Sequence, residues 1–279
     1  MSSYAYYNGK FGKKSEITIP LTDRSIYFGD GVYDAAIGKN GMILWEDEHI
    51  LRLLGNSSRL GIKHCYSPSA LSELLHKVID RSKLKQYFIY FALSGNCEMR
   101  NHSTCTNNGA NLLIVIDEHN LEVNQKPIQL ITKEDKRYGY CNIKTTNLLP
   151  SVLALTEAEA VGCDEVVFIK NGFVTECAKS NISILKYGRM ITHPISPSIL
   201  PGITRSHLIK ACEGISMPIE ERPFTPEELI DADEIIVSSS SKLCRTANRL
   251  DGIKVGGKDP ASVSKIFEII FLEYNKLHN

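Results

Sequence analysis

Lys144 stands in the segment YCNIKTTNLLPSV, just after a stretch that reads as a strand and ahead of one that reads as a helix. A lysine emerging from packed apolar surroundings loses solvation, which lowers its pKa and makes the neutral amine a Schiff-base nucleophile. On residue type alone a solvated surface amine is the simpler reading. Glu176 closes a strand in FVTECAKSN. A partly buried carboxylate there needs a partner: a cation, a helix cap, or the protonated ring nitrogen of a pyridine cofactor. Ile203 and Thr204, in SILPGITRSHL, open a helix behind Gly202. Backbone N–H groups at a helix start can cradle a phosphate, or Thr204 can simply cap the helix. The hydroxyl run 238–241, which includes Ser240, follows a strand and is either a polar turn or a second set of donors to the same phosphate. His49 and Arg52 lie three apart on one helix and share a face, where an arginine can clamp a phosphate. Arg100 and His102, in CEMRNHSTC, can converge on a carboxylate, although an ordinary polar loop would look the same.

These residues need a scaffold, and the pattern supplies one. Strands are expected at 4–7 and 16–20 around the turn Asn8-Gly9, and at 32–37 and 42–45 around Asn40-Gly41. A helix over 46–60 carries Glu46, Asp47 and Glu48 in its first turn, where the helix dipole favours acids. Another starts at Ser67-Pro68 and places Leu71, Leu74, Leu75, Val78 and Ile79 on one buried face. Runs 87–93 and 112–116 have strand length. The polar stretch 118–126 reads as a linker, which divides the chain into domains 1–117 and 127–279. Beyond it come strands at 128–132, 165–169, 173–176, 181–186, 190–192 and 234–237. Helices are expected over 150–161, from about 203, from the capping box at Thr225-Pro226-Glu227-Glu228, and over 260–277.

The 279 residues are enough for two such domains, and 43% hydrophobic with 23% charged is a globular balance. Lys plus Arg and Asp plus Glu number 32 each, so no electrostatic footprint for nucleic acid or an anionic membrane follows. No stretch approaches the roughly 20 apolar residues of a membrane span, and the start has no signal-peptide core. The 8 cysteines form no CxxC pair, which argues against a zinc or redox motif and for reduced thiols in the cytoplasm.

Taken together, the segments DRSIYFGDGVYD (23–34), EHILRL (48–53), IKTTNLLPSVLALTEA (143–158), EVVFIKNGFVTE (165–176), SN (180–181), ILPGITR (199–205) and EIIVSSSS (234–241) resemble the fold-type IV pyridoxal-phosphate enzymes, the class IV aminotransferases. The similarity runs from about Tyr7 to about Phe271. It implies an α/β (α+β) fold with a small N-terminal α/β domain and a larger C-terminal pseudobarrel domain. It also implies pyridoxal 5'-phosphate as cofactor. By that resemblance Lys144 forms the Schiff base and shuttles the proton, and Glu176 pairs with the pyridine nitrogen. Arg52, the amides of Ile203 and Thr204, and Ser240 hold the phosphate, while Leu200 packs on the ring. The segment MRNH is similar to the Arg-x-His loop of D-amino acid aminotransferases. In those enzymes the loop traps the substrate carboxylate together with a tyrosine, and it reaches in from the partner subunit of a homodimer. Arg100, His102 and Tyr33 are the matching positions.

The expectation is therefore transamination of a D-amino acid such as D-alanine with 2-oxoglutarate. Aminodeoxychorismate lyase and L-branched-chain aminotransferase are the alternatives on the same cofactor, and a cofactor-free binding protein is the alternative outside that chemistry. Departures from the D-aminotransferase pattern bear on substrate range: Ser94 before Gly95 where an arginine is usual, Asp34 for glutamate, and Cys177, Ala178 and Lys179 in place of small residues. Lys179 would either alter the electronics of the ring or point to solvent.

Overall fold

Asn8 and Gly9 both take positive φ and turn the chain by two residues, so β1 (Ser3–Tyr7) pairs at once with β2 (Lys10–Lys13). That tight turn is why the strand expected at 16–20 does not form. The partner of β1 is used up by Lys13, and Glu16 instead closes a 3-10 turn by accepting a hydrogen bond from the Lys13 amide. The computed structural model describes residues 3–96, 100–103, 109–122 and 126–277. The chain divides into two units, Met1–Leu121 with Ile143–Asn147 and Tyr274–Asn279, and Glu122–Asn142 with Leu148–Glu273.

In the first unit the next elements are α1 (Arg24–Phe28), β3 (Gly31–Lys39), β4 (Met42–Ile43), α2 (Glu46–Arg59), α3 (Pro68–Ser82), β5 (Gln86–Gly95) and β6 (Ala110–Glu118). Among the described residues six strands form one sheet in the order β2-β1-β6-β5-β3-β4. The long central strands align antiparallel, with Tyr33 opposite Ala92 and Asp34 opposite Phe91. Ile50 and Leu53 of α2, and Leu71, Leu75, Val78 and Ile79 of α3, are buried against Ile89, Phe91, Leu112 and Ile114. Each such side chain contributes about 1.5–3 kcal/mol, well above the differences in intrinsic propensity that β-branched residues bring to a helix. The short helix α1, which hydrophobic periodicity does not reveal, is set by its caps. Asp23 accepts from Ser25 at the N-terminus and Gly29 takes the left-handed conformation at the other end.

The segment Ile143–Asn147, which the sequence put with the second domain, groups with this unit for a hydrogen-bonding reason. Val32 bridges Thr145, the Tyr33 amide donates to the Lys144 carbonyl at 2.9 Å, and the Thr146 amide donates to Gly31 at 3.0 Å. Lys144 is thus not at the end of a strand. It lies in an extended stretch along the edge of β3 that β4, paired only at Gly38 and Lys39, leaves uncovered.

The second unit holds β7 (Ile128–Glu134), α4 (Leu149–Ala160), β8 (Glu165–Lys170), β9 (Phe173–Cys177), β10 (Asn181–Lys186), β11 (Arg189–Thr192), α5 (Ile203–Gly214), β12 (Ile219–Glu221), α6 (Pro226–Asp231), β13 (Glu234–Ser239), β14 (Leu243–Leu250), β15 (Ile253–Lys254) and most of α7 (Pro260–Asn275). Among the described residues its nine strands run β12-β11-β10-β13-β14-β7-β8-β9, with β15 beside β14, as a half-barrel. The capping box at Thr225 and Glu228 forms as expected. The strand β14 escapes sequence reading because Arg245, Asn248 and Arg249 break its apolar run, while Leu243, Cys244, Ala247 and Leu250 are buried.

Candidate active site

In the first unit the structure gathers three groups. Lys144, half-buried, carries its Nζ 4.5 Å from the centre of the Tyr33 ring, and Tyr33 stacks on Tyr90 at 5.1 Å. An ammonium over an aromatic face is held electrostatically, so the amine has a defined place rather than a solvated one. The second group is buried. Asp34 is fully enclosed in β3 and accepts from Arg52 through Nε at 2.7 Å and Nη2 at 2.8 Å, while His49 Nδ1 lies 2.6 Å from its Oδ1. Burial alone would raise this carboxyl, but Arg52 and His49 override it and hold it well below the usual carboxylate range. The Arg52 fork is thereby fixed in orientation. His49, noted in the sequence only as sharing a face with Arg52, turns out to be the second partner of Asp34.

Arg100 and His102 form the third group, packed against side chains of α1. The Arg100 guanidinium sits 5.2 Å from the Phe28 ring and 5.9 Å from that of Tyr27, and His102 packs on Phe28 at 5.3 Å. Arg24 holds the backbone of this loop by donating to the Asn101 carbonyl at 2.6 Å. Met99 and the residues 104–108 of the same loop lie outside the described residues.

In the second unit Glu176 sits where β9 bulges against β8. Cys177 pairs with Val167 and Val174 with Ile169, so Thr175 and Glu176 together face Phe168. A bulge re-aims the side chains it carries, and Glu176 is 5% exposed. Its Oε1 accepts from Arg137 Nη1 at 2.5 Å, and its Oε2 accepts from Asn181 Nδ2 at 2.9 Å and the Leu200 amide at 3.0 Å. Three donors fix it as an ionised acceptor. Asn181 also donates to the Leu200 carbonyl, and its Oδ1 fills the space that a Cβ on Gly202 would need. Glu176, Leu200 and the start of α5 are therefore locked together through one asparagine. The sequence offered Asn181 only as part of a matching Ser-Asn pair, and it held no sign of Arg137.

Gly202 heads α5 with no side-chain cap. The Thr204 hydroxyl is buried without a hydrogen-bond partner, and so is that of Ser238, which stands directly across from Asn181 on β13. Unpartnered buried hydroxyls are rare, and here they flank a helix N-terminus, where amides and dipole favour an anion. This is the donor chemistry a phosphate requires. Ser240 lies half-buried in the turn after β13, next in line from Ser238. Lys179 is exposed, and its charge acts on the buried Glu165, whose pKa burial raises and Lys179 helps to lower.

Comparison with known proteins decides the lineage. The model of the family described as amino-transferase class IV matches residues 31–250. The chain belongs to the class IV aminotransferases. It is a pyridoxal-phosphate-dependent aminotransferase, and the orphaned hydroxyls at α5 fit that cofactor's phosphate. Among its class IV relatives are the D-alanine aminotransferases of Staphylococcus aureus (strain MSSA476), 31% identical over 98% of both chains, and of Bacillus licheniformis, 30% identical over 93% of this chain and 92% of that one. A solved structure of the branched-chain aminotransferase from the thermophilic archaeon Thermoproteus uzoniensis, with norvaline, has the same fold. Its TM-score is 0.89 at 21% identity, over 98% of this chain and 95% of that one.

Proposed function

We propose that this aminotransferase moves the amino group of a D-amino acid, such as D-alanine, to 2-oxoglutarate, giving a 2-oxo acid and D-glutamate. The observation that carries the reading is the pairing of Lys144 with Tyr33, the tyrosine of the carboxylate-trapping set, with Nζ 4.5 Å from the ring. The D-alanine aminotransferase relatives, similar over nearly the whole chain, support it. Arg100 and His102, reaching in from the partner subunit of the proposed homodimer, complete the set in this proposal as cationic and hydrogen-bonding partners of the α-carboxylate. With the carboxylate held by Tyr33, Arg100 and His102, a D-amino acid presents its α-hydrogen to Lys144.

Bound pyridoxal phosphate supplies an electron sink for the pair left when the α-proton departs. Lys144 would hold the cofactor through Nζ and, once the substrate's amino group has displaced it there, would take up the α-proton on that freed amine. Glu176 would face the cofactor's ring nitrogen as an acceptor, and Leu200 would pack against the ring. Arg52, the amides of Ile203 and Thr204, and the Ser240 hydroxyl would hold the phosphate. We also assign a homodimer, supported by the apolar strip that α4 exposes at Leu149, Val152 and Leu153. A cytoplasmic setting accords with the free thiols of Cys65, Cys141 and Cys163.

The test is a panel of D- and L-amino acids with 2-oxoglutarate, following 2-oxo acid release. D-alanine should yield pyruvate and Lys144→Ala should abolish turnover. Turnover of L-leucine with no D-amino acid accepted would replace the proposal with an L-branched-chain activity. Pyruvate released only from aminodeoxychorismate would replace it with the lyase.

A further inference from the structure

Glu176 does not stand alone in its pocket of charge. Arg137, which reaches its Oε1 at 2.5 Å, also grips Asp135 with two nitrogens, Nε on Oδ1 at 2.9 Å and Nη2 on Oδ2 at 2.8 Å. The guanidinium lies 4.6 Å from the centre of the Phe168 ring, the residue facing the bulge that aims Glu176, and it donates to the Ser198 carbonyl at 3.1 Å. Thr175, the other bulge residue, gives its hydroxyl to Asp135 at 3.0 Å. All three side chains are nearly enclosed, with side-chain exposures of 2% for Asp135, 11% for Arg137 and 6% for Glu176. In such surroundings charge is poorly screened, so the net charge of the group decides what it can bind.

An arginine paired to Glu176 by itself would cancel the carboxylate and leave a neutral site, unsuited to a protonated ring nitrogen. Asp135 restores the balance: with it, the triad carries one net negative charge. Burial would push the Asp135 carboxyl up, but Arg137 outweighs it and holds the group ionised, below its ordinary value. A purely structural brace for Glu176 would need only a neutral donor such as the Asn181 amide, which is already present on the other oxygen.

We propose that Asp135 and Arg137 are positioning residues that set the electrostatics of Glu176: Arg137 fixes the carboxylate, and Asp135 returns the negative charge that keeps the cofactor's ring nitrogen protonated. The proposal rests on Glu176 facing that nitrogen, so its test carries Glu176→Gln as a control. The measurement is the ¹⁵N shift of ring-labelled pyridoxal phosphate in the holoenzyme, titrated with pH. This reports protonation of the nitrogen whether or not the enzyme turns over.

Asp135→Asn makes the triad neutral and should lower the nitrogen's pKa by about one unit or more, the usual scale for losing an opposite charge nearby. Asp135→Asn with Arg137→Gln removes both added charges, leaves Glu176 its own, and should restore the wild-type titration. A brace without an electrostatic role predicts the reverse order, with the double variant the more perturbed. An Asp135→Asn titration unchanged while Glu176→Gln shifts would overturn the proposal and leave the role of Glu176 standing. If neither variant moves the titration, both fall. Should Asp135→Asn alone fail to fold, the double variant against wild type and Arg137→Gln, whose triad gains a negative charge and should raise the pKa, still decides the matter.

Discussion

Asp34→Asn is the substitution whose cost the structure fixes most tightly. The Asp34 side chain is fully buried and Arg52 is 11% exposed, with two short N–H···O contacts between them and His49 on the same carboxylate. The amide keeps the shape and removes the charge, so the nearly buried Arg52 faces a neutral group where the carboxylate stood. Breaking one partner of a buried ion pair costs about 3–5 kcal/mol. The chain's one tryptophan, Trp45, is well placed to report this. It caps α2, and its carbonyl accepts from the His49 amide, so urea unfolding followed by its fluorescence reads the unit that holds the pair. The pH dependence has a definite sign. The Asp34 carboxyl lies below its unfolded value, so its contribution is fully present above about pH 4 and is lost as pH falls toward the folded value. The gap between wild type and Asp34→Asn should therefore be largest near neutrality and close in acid. Adding Arg52→Met should recover much of the loss, because a hydrophobic replacement of a whole buried pair is often close to neutral. Midpoints within about 1 kcal/mol of each other at neutral pH, or a gap that does not change down to about pH 3, would refute the assignment.

Thr204→Val and Ser238→Ala remove the two buried hydroxyls beside α5. If these serve a phosphate, each should weaken pyridoxal phosphate about ten-fold or more by equilibrium titration, on the scale of a hydrogen bond to a charged group, and leave the affinity for unphosphorylated pyridoxal unchanged. Gly202→Ala puts a methyl group where Asn181 Oδ1 now sits. It should release Asn181 from Glu176 and Leu200, destabilise the second unit by about 1–3 kcal/mol in urea, and loosen cofactor binding. A fully stable Gly202→Ala protein with wild-type affinity would show that this contact does not organise the site.

The elements carrying the candidate residues were largely legible, because each rests on a local signal. Asn8-Gly9, Asn40-Gly41 and Asn171-Gly172 are two-residue turns, and Pro68, Thr225 and the apolar face of α3 announce their helices in a few consecutive residues. What could not be read depends on pairing at a distance. The place of Lys144 along β3 follows from hydrogen bonds to residues more than a hundred positions away. Arg137 looks like any loop arginine until the bulge at Thr175 and Glu176 turns a carboxylate toward it. Asp34 looked like a small departure from a family pattern. Only its burial shows that it orients the arginine assigned to the phosphate.

Asp34 and Glu176, both buried, make opposite use of arginine, and the charge arithmetic explains why. Asp34 is shared by Arg52 and His49, and the Arg52 guanidinium by itself cancels its charge. The cluster never carries a net negative charge while Arg52 is present, which suits a residue assigned to an anionic phosphate. Glu176 shares Arg137 with Asp135, so that cluster is anionic as long as both carboxyls are ionised, which suits a protonated ring nitrogen. In each case the arginine supplies rigid geometry, and at Glu176 the third member, Asp135, decides the sign. That third member is thus the residue to vary if the aim is to change what the cluster attracts without loosening it. His49→Gln should leave the Asp34–Arg52 pair intact, whereas Asp34→Asn removes the pair itself.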